Sequence, residues 1–387
     1  MMKPTVVHFL PTFDMGGLGS LALTMIRAWP DKGVRHITIA PSYAGTKPTL
    51  LPEFWKLIGD GSVAEVPRDF QRSPIIYRDE LAAKLRSLTI GPYVTHAINY
   101  NFSDHVWNVQ AFRMCGYPQA KFICHVGTVL DDSHETKLRL HSVHARNTIF
   151  VPASKAVANR IHLLMREKIN DVSGIGDIHP VVWNGVDVAK FEKARQEAPP
   201  PTAPMIFGFT GRMADPAVKD WDTLIGGFAR METDEAELRI AGDGPLKSVI
   251  AEKLRNACTV GVFKNFSMPG NIMPEKIPAF LADLDCFVMA ALPIEGFSMA
   301  LVEAIASGCL LLGTDVPSVR ETFEAADGTE FLARNAVEMG KLMTAFGRRG
   351  VPDEVARQTR FRNYMMGQKL KSMVSAERMA AAYYAIR

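Results

Sequence analysis

Residues 285–315, DCFVMAALPIEGFSMALVEAIASGCLLLGTD, decide the fold of this chain. Cys286 to Ala291 is a short apolar run typical of a buried strand, and EGFS at 295–298 is typical of a turn. The next apolar stretch predicts a helix that ends at Gly308, and CLLLGTD predicts another strand. Two strands joined by a helix predict a parallel β-α-β unit, in which ligands collect at the carboxyl ends of the strands.

The turn at that edge carries groups suited to a phosphorylated ligand. Backbone N–H groups of Phe297, Ser298 and Met299 open the predicted helix and have no partner within it, which favours binding of a phosphate. Glu303 follows Glu295 by eight residues, a little over two helical turns, so it lies near the same side of the helix. A carboxylate there can accept two hydrogen bonds from a ribose diol.

The same alternation of apolar runs and helical stretches extends through the 387 residues, which are too many for one ordinary core. We predict an α/β fold with two Rossmann-like domains of parallel strands. The first covers residues 1–192, and a stiff proline-rich linker, KARQEAPPPTAP, covers 193–204. The second domain covers residues 205–360. Residues 361–387 are predicted to be a helical segment that packs back on the first domain.

Composition excludes several classes of protein. A net charge of +3 is too small for a nucleic-acid footprint, and five cysteines without a CxxC pair fit buried thiols in a reducing compartment. The N-terminus has no signal-peptide pattern, and no stretch of about 18 uninterrupted apolar residues occurs. We therefore expect a cytoplasmic protein. The basic residues from Arg357 to Arg387 leave peripheral contact with a membrane surface open, and the oligomeric state is not indicated.

Several motifs resemble those of a known family. The E-G-F…E segment resembles the E-x7-E signature of the retaining glycosyltransferases of family 4, also described as glycosyl transferases group 1, which have the GT-B fold of two facing Rossmann-like domains with a cleft between them. VVWNGVDVAKF is similar to the family's N-G-V-D segment, and FVPASKAVANRI to the strand and helix before it. FGFTGRM with VKDWDTLIGGFA resembles its G-R…K segment, and LRIAGDGP its glycine-aspartate-glycine strand end.

The resemblance implies a role for each matching residue in binding a nucleoside-diphosphate sugar. Arg212 and Lys219 match the pair that binds the diphosphate, and fixed cations there stabilise the charge that develops on the leaving group. Glu295 matches the carboxylate that hydrogen-bonds the donor sugar, and Glu303 the one that holds the ribose. His125, at the end of the strand in KFICHVGT, matches the active-site histidine near the donor sugar. The remaining predicted donor-binding residues are Gly16, Gly17, Asn184, Gly296, Phe297 and Ser298.

The glycines of the first loop, PTFDMGGLGS, fit neither GxGxxG nor a Walker loop, which needs a lysine. The resemblance implies that Gly16 and Gly17 let the backbone pass beneath the diphosphate from the opposite domain, and we expect the helix to open at Ser20. Gly19 is interpreted as a turn residue.

Structural alternatives stand beside these roles. His125 alone is a core histidine in many proteins, Asn184 with Gly185 is a common turn, and Arg212 and Lys219 alone are surface charges. We predict no metal site and no cofactor, because the donor sugar is a substrate. Asp283 to Asp285 have the D-x-D pattern of a metal site but end a predicted helix. His134, His141 and His144 have helical spacing but no further ligand to complete a zinc site.

We therefore predict a metal-independent enzyme, a hexosyl- or glycosyltransferase that moves a sugar from a nucleoside-diphosphate sugar to a hydroxyl acceptor with retention of configuration. The acceptor, whether a glycan, a lipid-linked compound or a small molecule, is left open. One alternative is a GT-B sugar-nucleotide epimerase. The other is a catalytically silent GT-B subunit that serves as a scaffold.

Overall fold

A computed structural model of the chain describes fifteen segments, and every structural statement below concerns them. They are residues 4–13, 17–44, 48–69, 71–88, 94–100, 104–117, 121–130, 148–168, 178–198, 204–214, 216–232, 236–259, 265–325, 331–347 and 376–381.

The chain divides into two compact units. One comprises Met1–Gly185 with Ser372–Arg387, and the other comprises Val186–Lys371. The division falls ahead of the proline-rich segment 193–204, which is the predicted linker. The helix Val188–Glu197 lies in the second unit because it packs there against the helices Ile277–Ala282 and Met299–Ala306.

The first unit contains a six-stranded sheet in which each described pair of neighbours is parallel. Its strand order, β3-β2-β1-β4-β5-β6, is that of a Rossmann fold. Its strands are β1 (Thr5–Phe9), β2 (Arg35–Ser42), β3 (Val63–Pro67), β4 (Val94–Asn99), β5 (Lys121–Val126) and β6 (Thr148–Pro152), and its helices include α1 (Gly17–Ala28), α2 (Leu51–Ile58), α3 (Pro74–Ser87), α4 (His105–Met114) and α5 (Lys155–Lys168).

The second unit repeats this topology. Its parallel sheet has the order β12-β11-β10-β7-β8-β9, which is the same strand order counted from β7. Its strands are β7 (Met205–Thr210), β8 (Ala236–Ala241), β9 (Asn265–Gly270), β10 (Cys286–Met289), β11 (Leu310–Thr314) and β12 (Leu332–Ala333), and its helices include α6 (Val188–Glu197), α7 (Trp221–Arg230), α8 (Lys247–Thr259), α9 (Ile277–Ala282), α10 (Met299–Ala306), α11 (Pro317–Ala325) and α12 (Ala336–Gly347).

The unit predicted from residues 285–315 is confirmed. Strands β10 and β11 are buried along their whole length, and they pair in parallel on either side of the connection through α10. After α10 the chain turns at Gly308, whose φ of 69° is in the left-handed region that favours glycine. Burial on both faces of the sheet explains why these strands are continuous apolar runs with no alternation.

In each unit, a side chain close in sequence caps the start of a helix. The Ser154 hydroxyl accepts a hydrogen bond from the Val157 N–H at 3.2 Å at the start of α5. The Asp220 carboxylate accepts one from the Thr223 N–H at 2.9 Å and caps α7. These caps satisfy N–H groups that have no partner within the helix. Among the described helices, none has the length and apolar character needed to cross a membrane.

Candidate functional site

The second unit brings two predicted segments together at one edge of its sheet. Strands β7 and β10 are neighbours, but the chain continues from β7 to one side of the sheet and from β10 to the other. In open α/β sheets such a switch in direction leaves a crevice at the carboxyl ends of the two strands, where ligands bind. The segments that follow β7 and β10 both begin at this edge.

Backbone hydrogen bonds hold these two segments side by side. The Leu292 N–H donates to the Val218 carbonyl at 3.0 Å, and the Asp220 N–H donates to the Ala290 carbonyl at 3.3 Å. Lys219 lies between the two bonded positions on its segment. Its place is therefore fixed by main-chain contacts to the segment that leads to Glu295.

Lys219 and Glu295 contact each other directly. The Lys219 Nζ donates to the Glu295 Oε2 at 2.5 Å, and only 12% of each side chain is exposed. The Lys219 ammonium also lies 5.9 Å from the centre of the Phe209 ring, within the range of a cation–π interaction. The structure thus pairs two predicted site residues that are 76 positions apart in the sequence.

Arg212 is exposed and lies two residues after the end of β7. Its neighbours are fixed, because the Gly211 N–H donates to the Ala241 carbonyl at 3.0 Å and the Met213 N–H donates to the Asp243 carbonyl at 2.9 Å. Among the residues that the structure describes, Arg212 has no ion-pair partner. Its guanidinium is a positive charge on an anchored backbone at the same sheet edge.

The segment after Glu295 begins helix α10. Gly296, Phe297 and Ser298 are buried, and Ser298 is the N-cap residue, with a hydroxyl that makes no capping hydrogen bond. The first turn of a helix presents N–H groups without intrahelical partners and the positive end of the helix dipole. This start is therefore suited to bind an anionic group.

Glu303 lies one turn further along α10 and is half-buried. Burial raises the pKa of its carboxyl from 4.5 to about 7. In the described part of the chain its carboxylate has no hydrogen-bond donor, so a diol that donates to it would favour its ionised form.

Sequence reasoning missed Thr314, which fixes the carboxyl end of β10. Its buried hydroxyl accepts a hydrogen bond from the Ala291 N–H at 2.8 Å and donates to the Ala291 carbonyl at 2.7 Å. Ala291 stands four residues before Glu295. A polar residue at the end of an apolar strand, as in LLLGT, is the signal that could have indicated this role.

His125 and Asn184 lie together in the first unit. The His125 ring is buried near the end of β5, and burial lowers its pKa to about 4, while a hydrogen bond with the Asn184 side chain acts in the opposite direction. The ring is therefore neutral at pH 7. Its Nδ1 atom has no hydrogen-bond partner among the described residues, and the Tyr100 ring centre lies 5.7 Å from the ring centre.

The first glycine loop differs from the prediction. Helix α1 begins at Gly17, three residues before the expected start at Ser20. Gly17 is exposed at the helix start, and Gly19 is buried within the helix, so it is not a turn residue. Glycine in a helix costs about 0.5–1 kcal/mol relative to alanine, and burial of Leu21, Met25 and Ile26 on the same helix offsets this cost. Gly16 lies outside the described residues.

Of the two sequence patterns that resemble metal sites, the structure describes the D-x-D pattern but not the three histidines. Asp283 caps the end of α9, and the Asp285 carboxylate accepts a hydrogen bond from the Ile206 N–H at 2.9 Å, at the amino ends of β10 and β7. His134, His141 and His144 lie outside the described residues. The described part of the chain holds no group of three or more histidine, cysteine, aspartate or glutamate side chains that could bind a metal ion.

Comparison with protein families matches one part of the chain. Residues 204–345 match the model of the family glycosyl transferases group 1. This stretch contains every predicted site residue of the second unit, from Arg212 to Glu303. No curated protein sequence matches the chain significantly.

Solved structures of low sequence identity share the fold along the whole chain. Anabaena Alr3699/HepE in complex with UDP and glucose is 15% identical, with a TM-score of 0.74, and the match covers 99% of this chain and 100% of that one. The pneumococcal O-GlcNAc transferase GtfA in complex with UDP and GlcNAc is 11% identical, with a TM-score of 0.73 and coverage of 100% and 99%. Sucrose-phosphate synthase from Thermosynechococcus elongatus is 13% identical, with a TM-score of 0.70 and coverage of 99% of each chain. The chain therefore has the GT-B fold.

Proposed function

We propose that the protein is a glycosyltransferase that moves a sugar from a nucleoside-diphosphate sugar to an acceptor hydroxyl with retention of configuration. The observation that carries the proposal is the pairing of Lys219 with Glu295 at the switch point of the second sheet, within the region that matches glycosyl transferases group 1. The UDP complexes of HepE and GtfA support a nucleotide-sugar donor.

The second unit supplies the groups for the donor. Arg212, Lys219 and the start of α10 surround the diphosphate with positive charge, which stabilises the leaving group as the glycosidic bond breaks. Glu303 accepts hydrogen bonds from the ribose diol, and Glu295 accepts from the donor sugar. Gly296, Phe297 and Ser298 form the turn beneath the phosphates.

For the first unit, the family resemblance implies a role in donor binding for His125, which has Asn184 beside it. Because the ring is neutral at pH 7, His125 acts as a hydrogen-bond partner of a sugar hydroxyl and not as a cation. Gly16 and Gly17 belong to the loop on which the family resemblance places a donor contact. In the reaction the acceptor oxygen bonds to the anomeric carbon, the bond to the diphosphate breaks, and the diphosphate takes the acceptor's proton. The transfer then needs neither a metal ion nor a separate general base.

Calorimetric binding of UDP-, GDP- and ADP-glucose tests the donor assignment. We expect one of them to bind in the presence of EDTA, and Lys219→Ala to weaken its binding. Lys253→Ala is the control, because Lys253 is an exposed lysine paired with Asp222 on helices α8 and α7. Equal binding by the wild type and Lys219→Ala would exclude the phosphate role. For the stereochemistry, proton NMR of the first product should show the donor's anomeric configuration, and an inverted product would contradict retention.

A further inference from the structure

Glu295 neutralises Lys219, the cation assigned to the diphosphate. The Lys219 Nζ is 2.5 Å from the Glu295 Oε2, and both side chains are largely shielded from water. An ion pair in such a setting is screened less than a surface pair. An incoming phosphate therefore meets a lysine whose charge is already balanced.

The pair is built into the backbone of the site. Bonds from Leu292 to Val218 and from Asp220 to Ala290 hold the two segments, and the Glu295 N–H donates to the Leu292 carbonyl at 3.0 Å. Glu295 therefore lies in a turn attached to the same main-chain contacts that fix Lys219. Arg212 is exposed and has no such counter-ion in the described segments. Arg212 can therefore bind a phosphate directly, whereas Lys219 must first leave Glu295.

We propose that Glu295 is an internal competitor of the diphosphate for Lys219, and that donor binding exchanges one anion for the other. The inference rests on the proposed function and deepens it. When the phosphate takes Lys219, the Glu295 carboxylate loses its cation and gains hydrogen-bond donors from the sugar hydroxyls. A nucleoside diphosphate without a sugar also displaces Glu295 from Lys219, but it has no sugar hydroxyls that could donate hydrogen bonds to the Glu295 carboxylate.

Because of this exchange, the site distinguishes the intact donor, a nucleoside-diphosphate sugar, from the nucleoside diphosphate that remains after transfer. The intact donor satisfies both Lys219 and Glu295, because phosphate and sugar arrive together. After transfer the sugar has left, and Glu295 competes again for Lys219, which promotes release of the nucleoside diphosphate. Discrimination here comes from a repulsive element, the carboxylate, as well as from attraction to the phosphate.

The test compares wild type, Glu295→Gln and Glu252→Gln by calorimetry with UDP, GDP, ADP and the corresponding glucose nucleotides. Glu252→Gln is the matched control, because it removes one exposed carboxylate from helix α8. We expect Glu295→Gln to bind the preferred nucleoside diphosphate about tenfold more tightly, an effect typical of coupled sites. Its affinity for the intact donor should rise much less or fall, and Glu252→Gln should match the wild type.

Equal or weaker binding of the nucleoside diphosphate by Glu295→Gln overturns the exchange. If neither the wild type nor the variant binds any nucleotide, the proposed function fails and the exchange with it. If the wild type binds a nucleotide and Glu295→Gln binds the nucleoside diphosphate no more tightly, only the exchange fails and the proposed function stands. Should Glu295→Gln not fold, as judged by circular dichroism, Glu295→Asp replaces it. Its shorter carboxylate should give a smaller gain of the same sign, and no gain overturns the proposal.

Discussion

A β-carbon on Gly242 would lie 1.9 Å from the carbonyl oxygen of Gly211, the residue before Arg212. Gly242 has a φ of 141°, and its N–H donates to the Gly270 carbonyl at 2.8 Å. The close approach of two backbones therefore requires glycine at this position. We expect Gly242→Ala to lower the free energy of unfolding by more than about 4 kcal/mol, because no flexible side chain can move away. Urea unfolding followed by circular dichroism measures the change.

Gly308 provides the control for this prediction. It has a φ of 69°, but a β-carbon there would meet no atom within 4 Å. Gly308→Ala should therefore cost only backbone strain, about 1–2 kcal/mol. Equal losses in the two variants would show that the contact with Gly211 is not what fixes Gly242.

The Glu303 carboxyl predicts a pH dependence with a definite sign. Its pKa is raised from 4.5 to about 7, so the folded protein holds a proton that the unfolded chain releases between these values. Its contribution to stability is thus present below pH 4.5 and is lost as the pH rises through 7. Relative to the wild type, Glu303→Gln should gain up to about 3 kcal/mol between pH 4.5 and pH 8. Urea titrations at the two pH values measure this gain. If the free energies of unfolding of Glu303→Gln and the wild type differ by the same amount at both pH values, the pKa of Glu303 is not raised.

The same carboxyl should link donor binding to proton release. A ribose diol donates to the ionised form, so binding lowers the pKa of Glu303 and a proton leaves near pH 6.5. Calorimetry in buffers with different ionisation enthalpies should detect this proton for the wild type and not for Glu303→Gln. No release by the wild type would contradict the ribose contact.

For two buried tyrosines of the first unit, we expect removal of the hydroxyl to change the free energy of unfolding in opposite directions. The Tyr100 hydroxyl is buried without a hydrogen-bond partner among the described residues, whereas the Tyr77 hydroxyl donates to the Asn108 Oδ1 at 3.2 Å. Tyr100→Phe should raise the free energy of unfolding by about 1 kcal/mol, and Tyr77→Phe should lower it by about as much. Urea unfolding of both variants tests the contrast. A loss in Tyr100→Phe equal to that in Tyr77→Phe would show that the Tyr100 hydroxyl is bonded.

Thr314 holds the residues that follow β10 and lead to Glu295. Thr314→Val keeps the shape of the side chain but removes the hydroxyl that both accepts from and donates to Ala291. We expect a loss of about 2 kcal/mol in stability, because buried backbone groups lose their partner. Nucleotide binding should also weaken, since the segment with Glu295 loses its anchor.

Thr314→Ser retains the hydroxyl and is the matched control. Its nucleotide affinity should stay close to that of the wild type, as measured by the same calorimetry. If Thr314→Val binds as well as Thr314→Ser does, the anchor does not influence the site.

The sequence predicted those parts of the fold that depend on local patterns. The apolar runs of β10 and β11, the helix between them and the turn at Gly308 are each encoded by neighbouring residues, and the structure confirms them. The two Rossmann-like sheets follow from the same alternation repeated along the chain. Arg212, Lys219 and Glu295 were predicted from motifs, and the sheet order explains why the segments that carry them share one edge.

Contacts between distant segments were not predictable in this way. The Lys219–Glu295 pair, the Thr314 anchor and the close approach of Gly242 to Gly211 each join residues from different β-α units. No local pattern encodes such distances. The start of α1 was misplaced because a glycine cluster indicates a loop, whereas Gly17 and Gly19 lie within the helix, where burial of the residues after them offsets the entropy cost of glycine. The division at Gly185 lies ahead of the predicted linker because α6 packs against helices of the second unit, a contact that the proline-rich segment does not encode.

The proposed function depends above all on Lys219 binding the diphosphate of a sugar nucleotide during transfer. The most direct measurement is the rate at which purified protein releases nucleoside diphosphate from UDP-, GDP- and ADP-glucose, for the wild type, Lys219→Ala and the control Lys253→Ala. We predict release from one of these donors, a rate lowered on the order of 10²–10³-fold by Lys219→Ala, and no change in the control. No release from any of these donors would rule out the transfer proposed here, and an unchanged rate in Lys219→Ala would rule out the role of Lys219.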